Sequence, residues 1–227
     1  VLGLAFLIGL AIPFGVTYFK ESNNTKLRGR NDVKNLAIPF LGEIPQDPES
    51  KGKKIHDNDR TIYVKPGTRD IVNESFRVLR TNVEFMAAAD GACSLIAITS
   101  FNPGSGKSFI TMNLALALAI KGRRVLVIDG DMRRATATHT FGNREVGLAD
   151  YLGEKVEHVE EVIYQHDEHP SLYILPVGTT PPNPTELLSS PRMPLLLEQV
   201  RPQFDFILID CPMTESLADA SIIEHHV

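Results

Sequence analysis

Residues 98–108 read Ile-Thr-Ser-Phe-Asn-Pro-Gly-Ser-Gly-Lys-Ser, and this stretch decides the fold. An apolar run at residues 95–98 leads into it, and a long helical run at residues 109–120 follows it. A strand, a glycine-containing loop and a helix in this order form the context in which a Gly-Lys-Ser ending predicts a phosphate-binding loop. The alternative is a strand-to-helix turn that carries Gly-Lys-Ser by coincidence.

The physical basis of such a loop is local. Backbone N–H groups of the loop and of the first helical turn point at one spot, where the helix dipole adds partial positive charge. Lys107 supplies a full positive charge, and the Ser108 hydroxyl can bind a magnesium ion. Phe101 occupies the first glycine position of the general pattern G-x-x-x-x-G-K-[ST], so we expect the Pro-Gly pair at residues 103–104 to make the turn.

The bulk composition fits one full domain with extra segments, because the chain has 227 residues of which 43% are hydrophobic. Its net charge of −5 argues against a nucleic-acid-binding protein, whose binding domain is usually basic. Cys93 and Cys211 each lie alone in apolar surroundings and predict reduced thiols of a cytosolic domain. Because the chain starts at Val1 and stops at Val227 without a terminal element, we expect a fragment of a longer protein.

The first 19 residues carry no charge and are almost entirely apolar, which predicts a transmembrane helix at residues 1–19. Basic residues follow this stretch rather than precede it, so the positive-inside rule predicts that the downstream side is cytoplasmic. A buried helix of a soluble protein is the alternative. We expect residues 20–69 to form a juxtamembrane linker and residues 70–227 to form the main domain.

The rest of the chain alternates between apolar runs and helical patterns. Further strands are predicted at residues 124–128, 172–177 and 204–209, and helices at residues 156–164 and 193–200, with loop and short helix at residues 140–153. Alternation of this kind predicts an α/β fold with a mostly parallel sheet flanked by helices. Ligands of such folds bind at the carboxyl ends of the strands.

Three aspartates follow predicted strands at these carboxyl ends. Asp129 and Asp131 come after one strand and Asp210 after another, while Lys107 follows the first strand and its loop. Carboxylates beside a phosphate loop are the groups that a magnesium-bound triphosphate needs. For Asp131, a helix cap over the next two residues is the alternative.

A helix is predicted at residues 70–89, before the first strand. Its apolar side chains recur at spacings of four and three and so share one face, at Val72, Phe76, Leu79, Val83 and Met86. Glu74 and Arg77 fall on the opposite side and Arg80 on the flank. They are free for a partner, or they form a solvated ion pair of small energy.

Taken together, these motifs resemble the bacterial tyrosine kinase (BY-kinase) family, whose members act as polysaccharide co-polymerases in capsule and exopolysaccharide export. The resemblance spans nearly the whole chain and implies a P-loop NTPase fold preceded by a transmembrane helix. The segments similar to the Walker A, Walker A′ and Walker B motifs are residues 98–108, 125–133 and 206–212. The E-x-x-R-x-x-R oligomerisation motif is matched at residues 74–80, and two further similar blocks are residues 147–153 and 175–188.

The resemblance implies roles for individual residues. Lys107 contacts the β- and γ-phosphates of ATP, Asp129 and Asp131 act around the metal and the incoming tyrosine, and Asp210 orients the metal. Either Asp129 or Asp131 accepts the tyrosine proton. The catalytic set is Lys107, Asp129, Asp131 and Asp210. The Mg²⁺ set is Ser108, Asp129 and Asp210. The ATP-binding set is Pro103, Gly104, Ser105, Gly106, Lys107, Ser108 and Phe109.

The family also implies partners and a location. Glu74, Arg77 and Arg80 would pair with a neighbouring subunit of a homo-oligomeric ring, which phosphorylates in trans a C-terminal tyrosine cluster that this chain does not contain. The other implied partners are the polysaccharide export machinery and a tyrosine phosphatase, with no nucleic acid. The implied location is the bacterial inner membrane, with the catalytic domain in the cytoplasm.

Two other functions compete with the kinase interpretation. A partition-type ATPase of the deviant Walker A group carries an extra lysine early in the loop, where this chain has Asn102. A non-catalytic assembly module, in which nucleotide only controls ring formation, would share the same motifs. Phosphotyrosine on the full-length protein would separate this module from a kinase.

Overall fold

The computed structural model of the chain describes residues 13–20, 38–45, 62–87, 93–142 and 144–213. It contains two units, Val1–Glu43 and Ile44–Val227. Residues 13–20 of the first unit are helical. No helix in the described part of the chain is both long enough and apolar enough to span a bilayer. Residues 1–12 of the expected transmembrane helix lie outside the described residues, so that helix stays a prediction, as do the domain boundaries drawn from the sequence.

The second unit is built on a sheet of five described strands in the order β1-β5-β2-β4-β3. Neighbouring strands are parallel except for the β3–β4 pair, which is antiparallel. The predicted α/β fold with a mostly parallel sheet is therefore confirmed. The strands are β1 (Ser94–Ile98), β2 (Val125–Asp129), β3 (Tyr164–Gln165), β4 (Leu172–Leu175) and β5 (Phe206–Asp210).

The two central strands, β2 and β5, are buried along their whole length. Their sequences, VLVID and FILID, are continuous apolar runs that end in aspartate. Strands that are covered on both faces need such runs rather than an alternating pattern. Because β2 and β5 are neighbours in register, their terminal aspartates lie side by side.

Helices cover the sheet. The described helices of the second unit are α1 (Ile71–Ala87), α2 (Lys107–Ile120), α3 (Thr136–Phe141), α4 (Leu148–Leu152), α5 (Pro184–Leu188) and α6 (Arg192–Val200), with 3₁₀ helices at Val159–Val162 and Arg201–Gln203. Residues 111–119 of α2 are all buried, since the helix lies against the sheet and against α1. An edge-to-face contact between Phe76 and Phe109, with ring centroids 5.6 Å apart, joins α1 to α2.

The structure corrects two expectations. The prediction of a helix at residues 156–164 is wrong, because this stretch holds a 3₁₀ helix and then β3, whose Tyr164 pairs with Ile174 of β4. Pairing with a neighbouring strand overrides the local helical pattern. On α1, Met86 is half-exposed rather than buried, since it lies in the last turn of the helix; the other four residues of the predicted apolar face are buried.

The chain just before α1 is fixed to α2 by a buried amide. Asn113 is fully buried, and its Oδ1 accepts hydrogen bonds from the backbone N–H groups of Tyr63 at 2.6 Å and Val64 at 2.9 Å. Lys65 N–H donates in the same way to Asn73 Oδ1 at 2.9 Å. The end of the predicted linker is thereby tied to the helix that begins at Lys107.

Candidate functional site

The loop between β1 and α2 has a backbone that only glycine adopts easily at two positions. Gly104 has φ of 71° and Gly106 has φ of 87°, both in the left-handed region. A Cβ added at either glycine would meet nothing within 4 Å, so backbone conformation, rather than crowding, explains these glycines. The side of the loop where these atoms would stand is open to a ligand.

Two side-chain hydrogen bonds hold the loop between β1 and α2 in place. The Thr99 hydroxyl donates to the Pro212 carbonyl at 2.8 Å, which ties the start of the loop to the chain after β5. The Ser105 hydroxyl donates to the Asn102 carbonyl at 2.6 Å. At the other end, Gly106 offers α2 no side-chain cap, so the first N–H groups of this helix are left for an anion.

Lys107 lies between two carboxylates. Its Nζ is 2.9 Å from Asp131 Oδ2 and 3.2 Å from Asp210 Oδ1. Burial lowers the pKa of Lys107, but the two carboxylates outweigh burial and hold its pKa above the ordinary value. The amine therefore stays charged and joins the phosphate loop to the ends of two other segments.

Asp129 and Asp210 are register partners on β2 and β5, and both are fully buried. Each has one side-chain oxygen without a hydrogen-bond partner, Asp129 Oδ1 and Asp210 Oδ2. Burial and then repulsion from Asp210 raise the pKa of Asp129 to about 7. Burial also raises the pKa of Asp210, against the opposing effects of Lys107 and of a hydrogen bond from Ser108.

These groups fit a divalent cation of the magnesium type. An unpartnered buried carboxylate oxygen is costly, and a cation would satisfy it. No cluster of three or more His, Cys, Asp or Glu side chains in the described segments forms a cage made of protein alone. Mg²⁺ does not need one, because it is usually held by one or two carboxylates together with substrate phosphates and water. Ser108, which hydrogen-bonds to Asp210, supplies a further oxygen.

Asp131 caps no helix over the next two residues, since residues 132–134 form a turn and α3 begins only at Thr136. Its Oδ2 pairs with Lys107, and its Oδ1 accepts a hydrogen bond from the Arg134 N–H at 3.3 Å. The carboxylate therefore supports the following turn and also contacts the phosphate-loop lysine.

One residue of the site was missed from the sequence. Thr138 donates twice to Asp129 Oδ2, from its N–H and from its hydroxyl, each at 2.7 Å. It lies nine residues after Asp129, in a helix of only six residues. No spacing or motif in the chain singles it out, since such contacts depend on how α3 folds back over the end of β2.

The three residues of the predicted oligomerisation motif lie on α1 and make their contacts outside the candidate site. Glu74 and Arg77 form an ion pair on the exposed side of α1, with side chains 52% and 36% exposed. Arg77 also donates to the Thr68 carbonyl at 2.7 Å. Arg80 donates to the Ala117 carbonyl of α2 at 3.3 Å, so it is partly occupied within its own chain.

Comparison with known proteins places this geometry in a family. A family model described as an AAA domain matches residues 93–224. The tyrosine-protein kinase YwqD of Bacillus subtilis is 36% identical over 165 residues, which cover 72% of this chain and 68% of that protein. The tyrosine-protein kinase ptk of Acinetobacter johnsonii is 32% identical over 232 residues, which cover 100% of this chain and 31% of that protein.

A solved structure of a bacterial tyrosine kinase has the same fold as this chain. The kinase domain of the Escherichia coli tyrosine kinase ETK superposes with a TM-score of 0.78 at 28% identity, covering 89% of this chain and 80% of that domain. The fold is therefore of the P-loop NTPase type. The chain spans only 20% to 32% of the length of the longer curated relatives. With a phosphate loop, a buried pair of strand-end aspartates and relatives of this kind, the chain belongs to the family of bacterial tyrosine-protein kinases.

Proposed function

We propose that this chain is an ATP-dependent protein-tyrosine kinase domain. The observation that carries the proposal is the position of Lys107, whose amine lies within 3.2 Å of carboxylates from two separate parts of the chain, at the mouth of an open phosphate loop. The relatives that share this architecture are named tyrosine kinases, which supports tyrosine as the acceptor.

The triphosphate of ATP would lie against the loop and the start of α2. Residues 104–109 supply backbone N–H groups, Pro103 makes the turn before them but has no N–H, and Lys107 supplies the charge for the β- and γ-phosphates. In the structure, Lys107 is held by Asp131 and Asp210. We expect the amine to exchange part of this pairing for phosphate oxygens when ATP binds.

Ser108, Asp129 and Asp210 are the residues that would hold Mg²⁺. Their positions, one buried hydroxyl and two buried carboxylates with unpartnered oxygens, are the observation that supports this assignment. When bound, the ion would neutralise charge on the phosphate oxygens.

In the transfer step, the tyrosine oxygen bonds to the γ-phosphorus as the bond from that phosphorus to the β–γ bridging oxygen breaks. ADP leaves with the electron pair, and the tyrosine proton passes to a carboxylate. Either Asp129 or Asp131 accepts this proton: Asp131 is also paired with Lys107 and Arg134, and Asp129 Oδ1 is the oxygen that would face Mg²⁺.

For the whole protein we propose a homo-oligomeric tyrosine autokinase that regulates capsular or exopolysaccharide polymerisation and export at the bacterial inner membrane. Family membership and the exposed Glu74–Arg77 pair support self-association. The membrane anchor at residues 1–19, the export machinery and a tyrosine phosphatase rest on the family resemblance alone.

The test is Lys107→Met in the full-length protein. Because the substitution removes the phosphate-contacting charge, we expect tyrosine phosphorylation to fall by about 100-fold or more. Lys121→Met is the matched control, since Lys121 lies at the far end of α2 and pairs with Glu84 at 3.1 Å. Undiminished autophosphorylation of Lys107→Met would remove Lys107 from the mechanism. A wild-type protein that assembles with ATP but never becomes phosphorylated would favour the assembly module.

A further inference from the structure

An aromatic side chain is exposed on the phosphate loop itself. Phe101 is 78% exposed, although phenylalanine is a residue that proteins tend to bury. It occupies the first glycine position of the general phosphate-loop pattern, and its backbone does not have positive φ, so the loop does not need glycine there. A single exposed apolar residue is common on protein surfaces, so the argument for a role rests on where this ring lies.

The backbone on both sides of Phe101 is held in place. The Ser100 hydroxyl donates to the Asn102 carbonyl at 3.1 Å, and the Ser105 hydroxyl donates to the same carbonyl at 2.6 Å. Just before them, the Thr99 hydroxyl donates to the Pro212 carbonyl at 2.8 Å. The ring is therefore carried by a fixed turn, and a ligand that packs against it orders little further backbone.

Phe101 lies at the edge of the sheet where we place the phosphoryl transfer. Ile98, three residues earlier, is the register partner of Asp210 on β5, and the Lys107 amine is 3.2 Å from Asp210. Because Lys107 is assigned to the β- and γ-phosphates, the terminal phosphate lies at this end of the site. The attacking oxygen must approach the γ-phosphorus from the side opposite the leaving ADP. The acceptor then enters past the exposed start of the loop, residues 101–105.

A tyrosine acceptor has a ring that can use this position. The tyrosine hydroxyl stands at the far end of its ring, so the ring lies beside the loop when the oxygen reaches phosphorus. Two aromatic rings attract each other edge-to-face or offset-stacked, with centroids about 4.5–7 Å apart. Serine and threonine offer no ring. Adenine does, but it is attached at the opposite end of the nucleotide from the γ-phosphate.

We propose that Phe101 determines acceptor specificity: its exposed ring packs against the ring of the acceptor tyrosine and so favours tyrosine over residues with an aliphatic hydroxyl. The inference rests on the proposed tyrosine phosphorylation. It gives Phe101 a role in binding the acceptor, outside the sets of residues assigned to ATP and to Mg²⁺.

The first experiment compares Phe101→Ala and Phe101→Tyr in the full-length protein, with Mg-ATP and a peptide that carries one tyrosine. We expect KM for the peptide to rise about 10-fold in Phe101→Ala, because a ring contact is lost. Phe101→Tyr keeps a ring and should stay within about threefold of wild type. KM for ATP should stay within about twofold in both variants. Leu195→Ala is the matched control, since it removes a 50% exposed apolar side chain from α6 and should change neither KM.

A pair of inhibitors tests the ring contact directly. The same peptide with phenylalanine or leucine in place of its tyrosine lacks the acceptor hydroxyl and competes for the acceptor site. Against wild type, we expect the phenylalanine peptide to inhibit about five- to tenfold more strongly than the leucine peptide. Against Phe101→Ala, the two peptides should inhibit within about twofold of each other, because the preference comes from the ring that this variant lacks.

Three results would overturn the inference: an unchanged KM for the peptide in Phe101→Ala, an unchanged preference for the phenylalanine peptide in that variant, or a rise in KM for ATP as large as the rise for the peptide. The third result would mean that the ring contacts the nucleotide instead. Because Phe101 is exposed, we expect Phe101→Ala to fold as wild type does. Phe101→Leu, which keeps apolar bulk without a ring, gives the same test if it does not.

If the wild-type protein binds ATP but phosphorylates no tyrosine, the proposed function fails, and the ring contact is then measured by binding alone. Fluorescently labelled phenylalanine and leucine peptides are titrated into the protein with Mg²⁺ and a non-hydrolysable ATP analogue. Equal affinity of wild type for the two peptides, or binding of neither, overturns the inference. A preference for the phenylalanine peptide that disappears in Phe101→Ala supports it without kinase activity.

Discussion

Asp129 makes the stability of the metal-free protein depend on pH. Its pKa is raised from 3.8 to about 7 in the folded chain, first by burial and then by Asp210. Between about pH 4 and pH 7 the folded state therefore binds a proton that the unfolded state has lost, and stability falls as the pH rises through this window. The full penalty above pH 7 is on the order of 4 kcal/mol.

Asp129→Asn removes this ionisation. In EDTA and without nucleotide, we expect the variant to melt at a higher temperature than wild type at pH 8, with a difference that shrinks toward pH 4. Thermal unfolding followed by circular dichroism across this range measures the effect. Asp167→Asn is the control, because it makes the same substitution at an exposed residue outside the site. Parallel profiles for Asp129→Asn and wild type would contradict the assignment.

The backbone is strained at Glu154, a residue on the surface. Its φ of 60° lies in the left-handed region, which costs a residue with a Cβ about 1–2 kcal/mol. Glu154→Gly relieves that strain and loses little else, since the side chain is exposed. After the extra entropy of an unfolded glycine, we expect a gain of about 0.5–1 kcal/mol in the free energy of unfolding, measured by urea denaturation.

Glu157→Gly provides the comparison for this test. Glu157 is also exposed, but its backbone does not have positive φ. Glycine there should only add entropy to the unfolded chain and lower stability by several tenths of a kcal/mol. Equal losses in both variants would show that residue 154 is not strained.

At the scale of elements, the start of α4 requires glycine because two backbone segments nearly touch. A Cβ at Gly147 would lie 2.3 Å from the Pro176 carbonyl oxygen and 2.4 Å from Gly178 N. These are backbone atoms that cannot turn away, and Leu148 N–H donates to the same Pro176 carbonyl at 2.7 Å. We expect Gly147→Ala to lower the free energy of unfolding by about 1–3 kcal/mol.

Thermal melting of the purified domain checks this value. A melting temperature for Gly147→Ala within a degree of wild type would mean that the two segments separate easily. In that case the contact between the start of α4 and the chain after β4 would not hold this edge of the fold together.

The sequence predicted well those elements whose cause is local. The phosphate loop, β2 and β5 were found because long apolar runs and a strand–loop–helix order leave few alternatives. The sequence did not predict β3, because the two residues of this strand pair with β4 only after the chain has folded. It could not find Thr138 for the same reason: its contact with Asp129 depends on the placement of a short helix.

At the scale of the whole molecule, α1 presents a face that the described residues of the chain leave uncovered. Three large apolar side chains recur every seven residues along it, and Ile71, Val78 and Phe85 are 63%, 54% and 84% exposed. The Glu74–Arg77 ion pair lies on the exposed surface of the same helix. An apolar stripe beside exposed charges is typical of a protein interface, and it fits the self-association proposed above.

Arg77→Glu tests this face, because it places two acidic residues three apart where an ion pair stood, and repulsion would oppose a partner's acidic surface as well. Arg80 is less suitable, since its side chain is only 18% exposed, against 36% for Arg77, and it donates to the Ala117 carbonyl of α2. In light scattering with Mg-ATP, we expect wild type to form a higher oligomer and Arg77→Glu to be mainly monomeric, with trans-phosphorylation reduced in proportion. Arg201→Glu carries the same charge change at an exposed site outside α1 and should assemble normally. An Arg77→Glu protein that assembles as wild type does would exclude this face of α1 from the contact between subunits.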